Sequence, residues 1–163
     1  MIMRVEFYKA GDGRLCGWFA TPPHRRPFEG STMAAGRDLP HDLSQCTIEQ
    51  ALDIRDGFWA LLAHGASFAS VPGRRPTRAG RALVRDHHAA LMAVEGIVNG
   101  HYAAWRRKQP TPVGPALDVM YARWLALRGG EPLVVEWPVH GLPPVSHSHH
   151  WRPHTARRAS QLR

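Results

Sequence analysis

The sequence predicts an α+β domain in which a small antiparallel sheet packs against about four helices. Three observations lead to this fold class. Apolar and polar side chains alternate along residues 3–8, and a second strand-like segment, residues 15–20, follows a Gly-Asp-Gly turn. The middle of the chain, from about residue 38 to residue 128, carries apolar residues at helical spacing. A last alternating segment, residues 133–137, follows the helices, so both ends of the domain are expected to meet in one sheet.

The N-terminal segment is predicted to form a β-hairpin. Gly11-Asp12-Gly13 is a strong turn sequence between two alternating segments. The side chains expected on the buried face of the hairpin are Met3, Val5, Phe7, Leu15 and Phe19. A proline- and glycine-rich loop covers residues 21–37 and connects the hairpin to the helices.

Four helices are predicted from the periodicity of the central region. The first begins near Pro40 and is interrupted at Asp56-Gly57, and the second is short and ends near Gly65. Thr77 is expected to cap the third and longest helix. The third and fourth helices are expected to cover residues 78–108 and 115–128, and the third is expected to kink or split at Gly96 or Asn99-Gly100.

A third strand is predicted near the end of the chain. Leu133, Val135 and Trp137 alternate between two prolines, which is typical of a short half-buried strand. This strand is the expected partner of the hairpin, so the predicted domain spans residues 1–138. Residues 139–163 form a basic tail rich in His, Arg and Pro, and we expect this tail to be disordered because it lacks apolar periodicity.

The composition restricts the class of protein. The chain has 163 residues, of which 44% are hydrophobic, as expected of a single domain. It has neither an N-terminal signal-peptide pattern nor an apolar run long enough to span a membrane, so we expect a cytoplasmic protein without a membrane partner. Two cysteines are too few for a disulfide framework and lack metal-ligand spacing, so we expect Cys16 and Cys46 to be buried free thiols.

The net charge of +8 comes almost entirely from arginine. The tail carries four of these arginines and no acidic residue, so the domain itself keeps about half of the net charge. Such a surplus favours an anionic partner, although the coding bias of a GC-rich genome also raises arginine content.

A basic segment is the first candidate functional site. Arg74 and Arg75 lie in a predicted loop. Arg78, Arg81 and Arg85 follow at spacings of three and four residues and therefore share one helix face. Such a stripe can bind nucleic-acid phosphates without sequence specificity, or it can be an ordinary solvated helix face. The leading hypothesis is therefore a non-enzymatic binding or regulatory domain with a protein or nucleic-acid partner and no cofactor.

The first helix carries the second candidate site. His41, Glu49 and Asp53 follow one another along one side of the predicted helix, with Gln45 between the first two. The start of the helix partly matches the His-Glu-x-x-His motif of zinc peptidases, but Asp42 replaces the glutamate and Gln45 the second histidine. A metal-dependent hydrolase centred on His41 and Glu49 is therefore the alternative hypothesis. In the other interpretation these residues form a solvated polar face.

The other histidines of the chain are weaker candidates for a site. His87 is expected at the edge of the core, and His88 is expected at the surface. Four histidines of the tail can bind transition metals without this being a function: His147, His149, His150 and His154. The sequence contains no phosphate-binding loop, dinucleotide fingerprint or nucleophile elbow.

Three short segments of the chain resemble small proteins of GC-rich bacteria. These segments are Leu39-Pro40-His41-Asp42-Leu43, Gly57-Phe58-Trp59, and the pair Gly65 and Phe68. The resembling proteins share a hairpin followed by a Leu-Pro-His-Asp-Leu helix, and the resemblance covers about residues 1–137. It implies a fold and assigns no catalytic residue. Some of these proteins have a second histidine where this chain has Gln45.

Overall fold

The computed structural model describes residues 1–145 and has the predicted α+β fold class, a small antiparallel sheet with helices packed against it. The predicted tail lies outside the described residues from residue 146 onward. In chain order the elements are β1 (Ile2–Ala10), β2 (Leu15–Thr21), β3 (Phe28–Glu29), β4 (Met33–Ala34), α1 (His41–Ala51), α2 (Phe58–Ala63), α3 (Arg78–Asp86), α4 (His88–Arg106), α5 (Gly114–Ala126) and β5 (Leu133–Pro138).

The first and last strands of the domain pair with each other, as predicted. The strand order is β3-β2-β1-β5, and β4 also pairs with β2. All pairs are antiparallel, and Val5 in β1 faces both Ala20 in β2 and Val135 in β5. The short strands β3 and β4 lie in the segment that was predicted to be a loop without regular structure. Beyond β5, the chain stays attached to the sheet, since Val139 N–H donates to the carbonyl oxygen of Met1 at 2.9 Å.

The buried face of β2 is the opposite of the predicted one. Its buried side chains are Cys16, Trp18 and Ala20. Leu15 and Phe19, which were predicted to be buried, are 39% and 40% exposed. The turn pairs Phe7 with Trp18, and cross-strand partners point to the same side of a sheet. Trp18 therefore joins buried Phe7, because the length of the turn, which sequence alternation does not reveal, sets the register.

Helix α1 is buried on nearly all sides. It packs against α4 and α5, and every residue from Leu43 to Glu49 is buried. The interpretation of its polar side as a solvated face is therefore wrong for Gln45 and Glu49. The polar side of α1 faces the interior because α2 and α4 cover it, and its polar groups are hydrogen-bonded there.

The long predicted helix is divided into α3 and α4 at His87, not at the glycines of its second half. Thr77 caps α3 as predicted, since Thr77 Oγ1 accepts the backbone N–H of Gly80 at 2.9 Å. His87 is buried at the junction of the two helices. The predicted break points Gly96 and Gly100 lie within α4, where they are exposed. Within residues 1–145, no helix combines the length and the apolar character needed to cross a membrane.

Candidate functional site

Two arginine-bearing loops that are distant in sequence meet at the surface. One loop joins β2 to β3, and the other precedes α3. Between them lies a surface cleft of about 320 Å³, and no acidic side chain of residues 1–145 lines it. The arginines that line this cleft are Arg25, Arg26, Arg74 and Arg75. The fold thus adds a second basic segment to the one that the sequence analysis singled out.

Contacts with two other segments hold the side chain of Arg74 in this cleft. Its Nη1 donates to the carbonyl oxygen of Leu62 at 2.7 Å, and its guanidinium carbon lies 4.7 Å from the centre of the Phe28 ring. Arg25 lies nearby, because a methyl group built on Gly65 would come within 3.2 Å of Arg25 Nη1 and 3.5 Å of Arg74 Nη2. Burial and the positive charge of Arg25 both lower the pKa of Arg74. The positively charged guanidinium groups of Arg25 and Arg74 are therefore both held close to Gly65.

The helix arginines extend this charge along α3. Arg78 and Arg81 are exposed, like Arg75 in the preceding loop. Arg85 differs, because its Nε lies 3.3 Å from Asp86 Oδ1 in an exposed ion pair. We define the arginine surface as the residues without such a partner: Arg25, Arg26, Arg74, Arg75, Arg78 and Arg81. Within residues 1–145, no carboxylate forms an ion pair with any of these six.

Arg25 and Arg26 are the residues that sequence reasoning missed. They lie in a proline-rich loop with no periodicity that would relate them to the segment before α3. The sequence nevertheless contains a sign that both segments are strongly basic. Arg25 and Arg26 lie in a stretch without Asp or Glu, residues 13–28, and the arginines from Arg74 onward lie in another, residues 57–85. The fold places the two acid-free stretches side by side.

Glu49 occupies an interior position on α1. It is fully buried, and its carboxylate faces the first turn of α2. Its oxygens accept three hydrogen bonds, from the backbone N–H groups of Phe58 and Trp59, both at 3.1 Å, and from Gln45 Nε2 at 2.9 Å. Burial raises the pKa of Glu49 to about 7, against the opposing effect of these hydrogen bonds. The carboxylate thus connects α1 to α2.

His41 lies at the start of α1, away from the carboxylate of Asp53. Its Nδ1 is 3.3 Å from Asp42 Oδ1, and its Nε2 is 3.8 Å from Glu95 Oε1 on α4. The hydrogen bond with Asp42 raises the pKa of His41, although burial acts in the opposite direction. Asp53 instead pairs with Arg55 at 2.6 Å at the surface. In the part of the chain that the structure describes, no three His, Cys, Asp or Glu side chains are grouped so as to hold a metal ion.

The remaining candidate residues, a histidine and two cysteines, are buried in the domain. His87 is buried where α3 meets α4. Cys16 and Cys46 are buried free thiols, as predicted. Burial raises the pKa of Cys16 to about 12 and that of Cys46 well above its usual range. Neither thiol is therefore suited to act as a nucleophile.

Comparison with known proteins gives no relative for this chain. No protein-family model matches it, and searches of curated proteins and of solved structures found no match. The functional interpretation therefore depends on the geometry and charge of the described residues alone.

Proposed function

We propose that this protein is a non-enzymatic binding domain that engages nucleic acid through the arginine surface. One observation carries the proposal: Arg25 and Arg74 hold two guanidinium groups close to Gly65, and within residues 1–145 neither has an acidic partner. Bringing like charges together is unfavourable, and a bound phosphate offsets this repulsion. Arginine suits the role because its planar donor array matches the geometry of phosphate.

The arrangement favours contact with the phosphate backbone over reading of the bases. Arg74 covers the ring of Phe28, so the aromatic side chain nearest the cleft is not free to stack on a base. The positive groups are distributed along a loop and the exposed side of α3, as required for contacts with successive phosphates. We therefore expect binding without strong sequence preference.

The proposal places the protein in the cytoplasm, where its two free cysteines fit a reducing environment. The alternative hypothesis, a metal-dependent hydrolase at His41, Glu49 and Asp53, has no specific observation in its favour. Both oxygens of Glu49 already accept hydrogen bonds from protein donors, and Asp53 is engaged by Arg55.

The proposal is tested by the salt dependence of binding to a short labelled DNA duplex, followed by fluorescence anisotropy. If the arginine surface contacts about four to six phosphates, a log–log plot of affinity against salt has a slope near −4 to −5. Replacing Arg75, Arg78 and Arg81 together by Gln is expected to flatten that slope by about three. These residues are exposed and form no ion pair with another described residue, so the variant is expected to fold normally.

The matched control is a variant that also loses three positive charges, but at positions outside the arginine cleft. Arg37, Arg107 and Arg128 are also exposed, and none of them lines the arginine cleft. Their triple replacement by Gln is expected to leave the slope nearly unchanged. An equal loss in both variants would contradict a localised site, as would absence of binding at about 50 mM salt. Tighter binding to polyglutamate than to DNA would indicate an acidic protein as the partner instead.

A further inference from the structure

A second cleft, which shares no lining residue with the arginine cleft, lies beside His41. Its volume is about 480 Å³, which is within the range of sites for small organic molecules. Helices α1 and α4 and strand β2 contribute to its lining. The lining is mostly apolar and includes Phe58, Phe68, Leu91 and Met92. Leu91 is half-buried.

The polar end of this cleft is acidic. Asp42 and Glu95 lie on opposite sides of the His41 ring, at 3.3 and 3.8 Å from its two nitrogens. Asp42 Oδ2 also accepts the indole N–H of Trp18 at 2.8 Å, which fixes the position of this carboxylate. Among residues 1–145, no Lys or Arg lines the cleft, and His88 is the other titratable side chain in its lining. Two carboxylates thus face an apolar space without a permanent positive charge.

Gln45 gives an independent indication of a ligand. It lines the same cleft, one helical turn after His41, and is only 7% exposed. Its Nε2 donates to Glu49 Oε1 at 2.9 Å. With the amide nitrogen facing Glu49, the carbonyl oxygen at the other side of the amide remains available as an acceptor. Within residues 1–145 this oxygen has no hydrogen-bond partner.

We propose that this cleft binds a small primary amine with an apolar body. A primary ammonium group donates N–H groups to carboxylate and carbonyl oxygens, and Asp42, Glu95 and Gln45 supply such acceptors in the lining of the cleft. Each carboxylate oxygen can accept two hydrogen bonds, so the contacts with Trp18 and His41 leave capacity for the ligand. The aromatic walls contact the apolar body and attract the cation.

The proposal is tested by calorimetric titration of the full chain with 2-phenylethylamine and with its neutral analogue 2-phenylethanol. The amine is expected to saturate one site at roughly millimolar concentration, as is usual for a ligand of this size. The alcohol is expected to bind at least about tenfold more weakly, because the acidic end attracts only the cation. Equal affinity for both compounds, or no saturation by the amine in this range, would overturn the proposal.

Two variants identify the acceptors. Glu95→Gln changes a half-exposed side chain on α4 and is expected to weaken amine binding about five- to tenfold. Asp42→Asn keeps an acceptor for Trp18 and is expected to have a similar effect. Glu131→Gln removes an exposed carboxylate that does not line the cleft and is expected to bind as the parent does. If Glu95→Gln and Glu131→Gln bind the amine equally well, the acidic end does not recognise the ligand.

Discussion

Replacing Glu49 by Gln is expected to remove a pH-dependent component of the stability of this protein. The carboxylate is fully buried between α1 and α2, and burial raises its pKa from 4.5 to about 7. The folded state therefore binds the proton more tightly than the unfolded state does. Stability consequently falls as pH rises from about 4.5 to about 7, and above that range the loss is complete. The difference between these two pKa values corresponds to roughly 3 kcal/mol.

The assay is urea denaturation of the parent and the Glu49→Gln variant at a series of pH values. Gln carries no titratable group, so the difference in unfolding free energy between the two proteins is expected to change by roughly 3 kcal/mol across the window. Other titrating groups, including His41, are common to both proteins and cancel in the difference. Glu131→Gln, at an exposed position, is the control and is expected to show no such change. A difference that stays constant within about 0.5 kcal/mol would refute the reasoning.

Three further predictions concern packing and reactivity. Trp18→Ala is expected to destabilise the domain by about 3–5 kcal/mol, whereas Phe19→Ala on the exposed face costs less than about 1 kcal/mol; similar losses in denaturation would contradict the register of β2. Gly30→Ala is expected to destabilise, because its new Cβ would lie 2.0 Å from Trp18 Cε2, whereas Gly96→Ala has open space on α4 and gains about 0.5–1 kcal/mol; thermal unfolding of both variants checks this contrast. The thiol of Cys16 is expected to react with a disulfide reagent at pH 8 only after unfolding, because it is buried and its pKa is raised to about 12; fast reaction of the native protein would contradict this.

The sequence predicted the fold class and the order of its elements well, because periodicity is a local property. The alternation in β1 and β5, the cap at Thr77 and the short helix α2 all follow from residues within a few positions of one another. The register of β2 was not predictable in this way, since it depends on the length of the turn that pairs Phe7 with Trp18. The division of the long helix at His87 was also missed, because no glycine or proline marks it.

The candidate sites depend on contacts between distant segments, which periodicity does not reveal. The arginines of α3 were recognised from their spacing, but Arg25 joins them only because the β2–β3 loop folds against the segment near Gly65. The polar side of α1 was interpreted as solvated because an amphipathic helix usually exposes its polar face. Here Glu49 and Gln45 are covered by neighbouring helices and hydrogen-bonded within the domain.

The most direct test of the central claim is the effect of a single substitution, Arg25→Gln, on DNA binding. Arg25 is not part of the basic segment found in the sequence, so only the fold predicts that it contacts the same phosphates as Arg75 and Arg78. We expect Arg25→Gln to reduce affinity at low salt and to flatten the log–log salt slope by about one, as Arg75→Gln does. Arg128→Gln, which does not change the lining of the cleft, is expected to leave the slope unchanged. If Arg25→Gln binds DNA with the slope of the parent while Arg75→Gln does not, the two loops do not form one phosphate-binding surface.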